Sequence, residues 1–384
     1  MDFNLSEEQE MLKTSARDFL ETRCPKSYVR EMESDDRGYS PDIWREMAGL
    51  GWMGLAFPEG TGGSGMSFLE LAVLLEEMGR ACLPGPFFAT VVLAGLTILD
   101  AGNEEQRQRY LPGIASGDKL ATLALTETDG TLDAASIKMT AAVDSDDSGY
   151  RLYGTKLFVP DAHVADHILC VARTEEPADA AASVADDGLS LFVVDAGATG
   201  LGCSLLKTIA ADKLCEVTFD GVPVPTGNLL GAAGKAWPVI ERTLQRAAAA
   251  RCCDLTGTVQ RVLEMTLDYA KERHQFDRPI GSFQVIQHYC AQMATDVDAT
   301  RFGAYQAAWA LSEGISGGRE VAIAKAWAGE AYERVVTLAH QIHGAIGCTI
   351  DHDLQFHTRR GKASQLSYGT GDHHLETVAR QMGL

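Results

Sequence analysis

Arg273 stands at the end of a predicted helix and opens a segment whose residue types suit an anionic ligand. It is followed by Gln275, Phe276 and the turn 277–281. The planar guanidinium of an arginine donates parallel hydrogen bonds to phosphate oxygens, and a turn exposes backbone N–H groups. The segment therefore indicates a pyrophosphate site. A simple helix C-cap is the alternative, because arginine also stabilises a helix C-terminus.

A second segment, Gln341–Gly347 (QIHGAIG), has a glycine-containing turn after a long predicted helix. Glycine has no Cβ, so the backbone at Gly344 and Gly347 can approach a phosphate closely. Ala345 lies between the two glycines. Taken alone this turn is weak evidence, because a helix C-cap has a similar composition.

Two further segments, 125–133 (LTETDGTLD) and 154–161 (GTKLFVPD), join hydroxyl, carboxylate and aromatic side chains. In order and spacing, the four segments resemble the motifs of acyl-CoA dehydrogenases over essentially the whole chain. The resemblance implies FAD as cofactor, an acyl-CoA as substrate and electron-transfer flavoprotein as electron acceptor. The FAD contacts that it implies are Thr126, Phe158, Arg273, Gln275, Phe276, Gln284, Gln341, Gly344, Ala345, Thr370 and Asp372.

The resemblance also implies that Arg273, Gln275 and Phe276 bind the FAD pyrophosphate across a subunit boundary. Phe158 would shield a face of the flavin, because an aromatic ring needs only its π surface for that; a core aromatic is the alternative. Other positions depart from the family pattern. They are Asp277 for a frequent glycine, Ala345 for the middle glycine, Leu132 for a ligand-contacting serine, and Pro160 for a hydroxyl that hydrogen-bonds the flavin.

The catalytic base is the largest departure. Dehydrogenation of an acyl-CoA needs a base for the α-proton while hydride leaves the β-carbon. Counted from Gln341, the family's glutamate position holds Tyr368, followed by the matching Gly369 and Thr370. A phenol with an ordinary pKa of about 10 is a poor base at neutral pH. The position on the preceding helix that some relatives use holds Ala247.

Three carboxylates are candidates for a relocated base: Asp372, Glu241 and Glu127. Asp372 lies four residues after Tyr368, one helical turn away, and could instead be a helix N-cap. Glu241 lies six residues from Ala247, off the required face of a helix. The resemblance gives Glu127 a structural role.

The pattern of elements predicts a mostly α chain with a central β domain, the acyl-CoA dehydrogenase fold. We expect an N-terminal helical domain (1–118), a middle β-barrel or sandwich (119–228) and a C-terminal four-helix bundle (229–384). Ser6 and Gln9 predict a capping box, Pro41 a helix start, and Pro112 with Gly113 the end of the first helical segment. Predicted strands are Thr122–Thr126, Tyr150–Val159, His167–Val171, Leu189–Val194 and Glu216–Phe219, with a hairpin loop at Glu175–Gly188. Predicted later helices are Trp237–Cys253, Gly257–Arg273, Phe283–Ser312 and Glu320–Ala345.

Composition excludes several classes of partner. The 384 residues carry a formal net charge of −20, which disfavours nucleic acid and anionic membranes. Nine cysteines lack CxxC spacing, and the pairs His340/His343 and His352/His357 lack matching acidic or thiol ligands, so we expect no metal. With no apolar leader or membrane-length run, the expected location is cytoplasmic.

Three functions remain open from the sequence. The first is an FAD-dependent acyl-CoA dehydrogenase of fatty acid or steroid catabolism with a relocated base. The second is a non-catalytic partner subunit of an α2β2 dehydrogenase, and the third a flavin oxygenase or oxidase on the same fold. The assembly is expected to be a homo- or hetero-tetramer.

Overall fold

A computed structural model describes residues 4–144, 149–175, 188–315 and 318–384. Most of the predicted hairpin loop at Glu175–Gly188 lies outside the described residues. The chain folds into two compact units, each built from separate stretches of sequence. Unit 1 comprises Met1–Glu31, Ser67–Leu83 and Gln245–Leu384, and unit 2 comprises Met32–Met66 and Pro84–Leu244. The division into three domains remains a prediction.

Helices dominate the described chain, as predicted. They are α1 (Glu7–Arg23), α2 (Lys26–Ser34), α3 (Pro41–Gly49), α4 (Phe68–Ala81), α5 (Leu96–Ala101), α6 (Glu104–Ala115), α7 (Trp237–Glu272), α8 (Gln284–Ser312), α9 (Gly318–His343), α10 (Leu354–Leu366) and α11 (Gly371–Gln381). A π-helical segment, Phe88–Gly95, precedes α5. Local signals placed several starts correctly. Ser6 and Gln9 form the predicted capping box, and Pro41 is the first residue of α3.

The prediction of two helices at Trp237–Cys253 and Gly257–Arg273 was wrong, because α7 is continuous. Gly257 does not break the helix but lets α4 approach it. A Cβ at Gly257 would lie 1.8 Å from the backbone oxygen of Glu76, and one at Gly79 would lie 2.0 Å from that of Asp254. The two glycines therefore serve a close helix crossing within unit 1.

The prediction that Pro112 and Gly113 end the first helical segment was also wrong, because both lie inside α6. Proline removes one helical hydrogen bond. Burial of Tyr110, Leu111 and Ile114 on the same helix offsets that loss.

Unit 2 contains an eight-stranded sheet. Its strands are β1 (Ala121–Ala124), β2 (Thr140–Val143), β3 (Gly149–Pro160), β4 (His167–Arg173), β5 (Leu189–Asp195), β6 (Leu201–Leu206), β7 (Leu214–Pro225) and β8 (Leu229–Leu230). They are hydrogen-bonded in the order β6-β7-β3-β2-β4-β5-β8, with β1 paired in parallel to β4. Alternate residues of β7 fill the core, Val217 and Phe219 among them, and Leu152 of β3 joins them. The sequence missed β2, β6 and β8.

Unit 1 adds a two-stranded hairpin, β9 (His274–Gln275) with β10 (Arg278–Pro279). No helix in the described part of the chain is long and apolar enough to cross a membrane.

Candidate functional site

The predicted pyrophosphate segment forms the hairpin that follows α7. Gln275 pairs with Arg278, so Phe276 and Asp277 form a two-residue turn with φ angles of +52° and +61°. Two left-handed residues are what a tight hairpin requires, and aspartate tolerates that conformation better than most side chains. The replacement of glycine by Asp277 therefore keeps the turn. Phe276 is 86% exposed at its tip.

Arg273 lies at the base of this hairpin. Its backbone is held at both ends, since its N–H donates to the Tyr269 oxygen and its carbonyl accepts from Ile280, each at 2.8 Å. Its side chain and that of Gln275 are exposed. The guanidinium is thus presented from a fixed backbone.

Helix α8 begins immediately after the hairpin, at Gln284. Its N-cap, Phe283, makes no side-chain capping hydrogen bond within the described residues. An uncapped helix start presents backbone N–H groups that suit an anion. The Phe283 ring also carries the Arg278 guanidinium at 4.1 Å from its centroid, which fixes the corner between hairpin and helix.

The second predicted segment begins within the last turn of α9. Helix α9 ends at His343, and Gly344 follows with φ +64°; no described atom lies within 4 Å of where its Cβ would be. Gln341 and Ala345 are exposed. Gly347 has a different role, because its Cβ would meet that of His343 at 2.9 Å. Of the two glycines in this segment, Gly344 is the one that combines open space with a left-handed backbone.

An aromatic contact joins these two segments. The ring of Tyr269 on α7 stacks on His343, with centroids 4.5 Å apart, and His343 Nδ1 bonds to the Ala339 oxygen at 2.9 Å. The arginine hairpin and the glycine turn are therefore fixed to each other within unit 1.

The segment at the family's glutamate position is held by two buried side chains. Lys325 Nζ donates to the backbone oxygens of Gln365 (2.6 Å) and Gly369 (3.0 Å), and His374 Nε2 donates to that of Tyr368 (3.0 Å). Burial lowers the pKa of Lys325 to about 8 and that of His374 to about 4. A neutral His374 keeps the N–H that this bond needs.

These bonds hold an unusual backbone. Tyr368 has φ +56°, a conformation that costs a residue with a Cβ about 1 kcal/mol or more. Gly369 follows at φ +99°, and Thr370 then caps α11 by accepting from the His373 N–H. Asp372 is not the N-cap that the sequence allowed; it lies in the first turn of α11 and is exposed.

Neither position that holds the base in the family pattern carries a carboxylate, since they hold Tyr368 and Ala247. The second of these side chains is also fully buried. Ala247 is 0% exposed within α7. Glu241 is exposed near the start of the same helix. Asp372 is thus the candidate nearest in the chain to Tyr368, and its location at the surface does not by itself make it a base.

Glu127 is a structural carboxylate in unit 2. It pairs with the fully buried Lys156 at 2.8 Å and accepts from the backbone N–H groups of Lys138 (3.0 Å) and Met139 (3.1 Å). Lys156 also donates to the Leu125 oxygen at 3.0 Å. With its oxygens engaged, Glu127 has no role as a base.

The bonds of Lys156 to Glu127 and Leu125, called the Lys156 clamp below, lie beside the predicted flavin contacts of unit 2. The backbone oxygen of Thr126 accepts from Leu157 at 2.8 Å, which aligns the end of β1 with β3. Between Lys156 and Val159 the pairing of β3 with β7 shifts register, and Phe158 adopts φ +55° there. Its backbone is therefore strained, and its side chain, 53% exposed, faces outward.

Two positions that depart from the family pattern, Pro160 and Leu132, also lie in unit 2. The carbonyl of Pro160 accepts from the buried hydroxyl of Thr122, and Leu132 is half-buried. Neither replaces the hydroxyl that the family pattern has. Among the described residues, no group of three His, Cys, Asp or Glu side chains could hold a metal.

Sequence reasoning missed Lys325 and His374. A single lysine in the alanine-rich run VAIAKAWAG of α9 was the available signal, since a lysine on a buried helix face needs a polar partner.

Comparison with known proteins gives the same class as the fold. Models of the acyl-CoA dehydrogenase N-terminal, middle and C-terminal domains match residues 6–118, 122–222 and 234–383. The chain belongs to the acyl-CoA dehydrogenase family.

Particular relatives lie at about 30% identity. Acryloyl-CoA reductase (NADH) of Anaerotignum propionicum is 32% identical over all of this chain and 96% of its own length. The ChsE4–ChsE5 complex of Mycobacterium tuberculosis contains a chain with 28% identity and a TM-score of 0.89, covering 100% of this chain and 99% of that one. The Tcur3481–Tcur3483 steroid ACAD contains one with 34% identity and a TM-score of 0.86, covering 98% of each.

Proposed function

We propose that this chain is a flavoprotein subunit in the FAD-dependent α,β-dehydrogenation of an acyl-CoA thioester, and that a second, paralogous chain supplies the catalytic carboxylate. The observation that carries the proposal is the left-handed Tyr368 at the glutamate position, combined with a fully buried Ala247 at the alternative one. A phenol and a methyl group cannot take up an α-proton at neutral pH.

The residues present fit FAD. Arg273 offers an exposed guanidinium, the start of α8 offers N–H groups, and Gly344 leaves open space at a left-handed turn. Anionic diphosphates bind such features. Phe158 presents an exposed ring for the flavin. When bound, FAD accepts the hydride that leaves the β-carbon of the thioester.

The chain's own residues would bind and orient in this reaction. Arg273, Gln275 and Gln284 would hold the diphosphate and its neighbouring groups, and Thr126 would contact the flavin. The Tyr368 segment, held by Lys325 and His374, would border the substrate without taking its proton. Electron-transfer flavoprotein is the proposed electron acceptor.

Two-chain relatives support the proposal of a partner. Both the ChsE4–ChsE5 complex and the Tcur3481–Tcur3483 steroid ACAD are named as pairs of chains, and this chain covers nearly all of a chain in each. A heterotetramer is the assembly that we propose, and the substrate class is an acyl-CoA of fatty acid or steroid catabolism.

A self-sufficient dehydrogenase is the second candidate, and Asp372 is the observation that favours it. It is exposed and lies one turn from Tyr368 in the chain. In that case Asp372→Asn would abolish dehydrogenation by the chain alone, whereas the partner model predicts no activity to lose.

The deciding experiment is visible absorption of the purified chain, alone and co-expressed with a paralogue that carries the glutamate. The partner proposal predicts that a panel of acyl-CoAs bleaches flavin only in the two-chain complex. Bleaching by the chain alone would overturn it.

Tyr368→Glu tests the same point from the opposite direction. Restoring the carboxylate should give the flavin-loaded chain acyl-CoA dependent bleaching, while the matched Tyr368→Gln variant should not. Equal behaviour of the two variants, in protein that still holds FAD, would contradict the assignment of position 368.

A further inference from the structure

Cys203 and Cys215 lie together on neighbouring strands of unit 2. In the antiparallel pairing of β6 with β7, Cys203 lies opposite Val217 and Cys215 opposite Leu205, so the two cysteines are diagonal neighbours on one face. Both are free thiols. The Cys215 thiol hydrogen-bonds the Cys203 sulfur, which lowers the pKa of Cys203 and raises that of Cys215.

The two thiols differ in access. Cys203 is exposed and Cys215 is buried. An accessible thiol with a lowered pKa is the form that attacks an oxidant, while a buried neighbour is suited to resolve the product.

An imidazole contacts the buried thiol. His163 Nδ1 lies 3.8 Å from Cys215 Sγ, and His163 Nε2 lies 3.2 Å from the backbone oxygen of Arg37. The carbonyl can only accept, so Nε2 carries the proton and Nδ1 is the basic nitrogen. Once the Cys203 sulfur is bound in a mixed disulfide, the single S–H of Cys215 can turn from that sulfur to Nδ1, and His163 is placed to accept its proton.

The strand geometry sets how easily the thiols can join. Diagonal neighbours in a sheet have Cα atoms about 7–8 Å apart, whereas disulfides usually join Cα atoms closer than about 7 Å. Within the described chain β6 is an edge strand that pairs only with β7. Joining the thiols therefore needs a local displacement of the β6 backbone around Cys203 toward Cys215, against its paired register with β7. The resulting bond would be strained and easily reduced.

We propose that Cys203 and Cys215 form a reversible dithiol–disulfide site, oxidised by a low-molecular-weight disulfide of the glutathione type. The Cys203 thiolate attacks one sulfur of oxidised glutathione, forming a mixed disulfide and releasing one glutathione thiolate. Cys215 passes its proton to His163 and attacks the Cys203 sulfur, which displaces the second glutathione. Two protein thiols are oxidised, one disulfide is reduced to two thiols, and both protons end on glutathione.

The site is coupled to the bulge of β3. Cys215 pairs with Val159, directly beyond the register shift that contains Phe158. A disulfide that draws β6 and β7 together changes the strand on which this bulge rests. Oxidation should therefore loosen the backbone at 157–159.

The test is peptide mapping of the purified full chain after treatment with oxidised glutathione at neutral pH. Trypsin cleaves after Arg173, Lys207, Lys213 and Lys235, so a disulfide joins peptides 174–207 and 214–235. We expect that joined pair, and its loss on reduction with dithiothreitol. Absence of the joined pair in folded protein would overturn the proposal.

Variants separate the two steps. Cys203→Ser should abolish both adduct and disulfide, and Cys215→Ser should trap a glutathione adduct on Cys203. His163→Gln should accumulate the same adduct by slowing its resolution several-fold. Cys348→Ser, which removes another exposed thiol, should leave the yield of the joined pair unchanged. An adduct on Cys203 that never resolves in the wild-type chain would contradict the role of Cys215.

Hydrogen exchange tests the coupling. Amides 157–159 should exchange faster in the oxidised chain than in the reduced one, with the Cys203→Ser chain as control. Equal exchange would refute the link between the dithiol and the Phe158 bulge.

Discussion

Replacing Lys325 by methionine tests how the segment around Tyr368 is held. Lys325 is 1% exposed, and both of its acceptors are backbone carbonyls, of Gln365 and Gly369. Methionine keeps most of the side-chain volume but donates no hydrogen bond. Each carbonyl that loses its donor costs about 1–3 kcal/mol, while removal of a buried ammonium returns a similar amount. The two effects oppose each other at pH 7.

The pH dependence separates these effects. Burial lowers the pKa of Lys325 from 10.5 to about 8, so the unfolded chain binds more protons than the folded one between those values. The free energy of unfolding therefore rises with pH through this window. The shift corresponds to about 3 kcal/mol in total, of which about 1.4 kcal/mol is gained between pH 7 and pH 9.

The assay is urea denaturation of wild type and Lys325→Met at pH 7, 8 and 9. Other titrating groups contribute equally to both proteins, so the difference between their unfolding free energies isolates Lys325. We expect wild type to gain about 1.4 kcal/mol relative to the variant from pH 7 to pH 9. Lys362→Met, which removes a surface lysine, should run parallel to wild type. If the unfolding free energies of Lys325→Met and wild type change equally with pH, the lowered pKa of a buried Lys325 is refuted.

Three further predictions concern packing and cofactor binding. Glu127→Gln removes the charge that pairs with buried Lys156 and should destabilise the protein by about 3–5 kcal/mol, measured by urea denaturation; a change under about 1 kcal/mol would contradict the buried pair. Arg273→Ala should lower FAD content, while the flavin-free variant keeps the thermal stability of the flavin-free wild type, because the side chain is exposed; full flavin absorbance after purification would contradict its role. Gly257→Ala should lower the melting temperature, since the new methyl meets the backbone of α4 and overpacking costs about 1–3 kcal/mol or more, whereas Gly60→Ala has open space; equal melting temperatures would disprove the close crossing.

The sequence predicted those parts of the fold that local rules determine. Capping residues such as Ser6 and strands with buried alternate positions such as β7 need only their neighbours in the chain. It failed where a distant element decides. The sequence predicts Gly257 as a helix breaker, whereas its role is to allow α4 to pack closely against α7. Strand β6 was missed because its residues are exposed or half-buried and its sequence shows no apolar alternation.

The candidate site shows the same division. The arginine segment and the glycine segment could be predicted from the sequence, because the groups that suit an anion lie on consecutive or nearly consecutive residues. The left-handed backbones of Tyr368 and Phe158 are not, because each is imposed by bonds from elsewhere: Lys325 and His374 in one case, the shifted pairing with β7 in the other.

The clamp made by Lys156 has a consequence for how unit 2 can be altered. One ammonium ties Leu125 and Glu127 to the strand that carries Phe158, and the Thr126–Leu157 hydrogen bond closes the same joint. The backbones of Thr126 and Phe158 are therefore held in a fixed position relative to each other. A substitution of either side chain leaves these backbone bonds intact, whereas an insertion that changes the spacing of one segment will displace both.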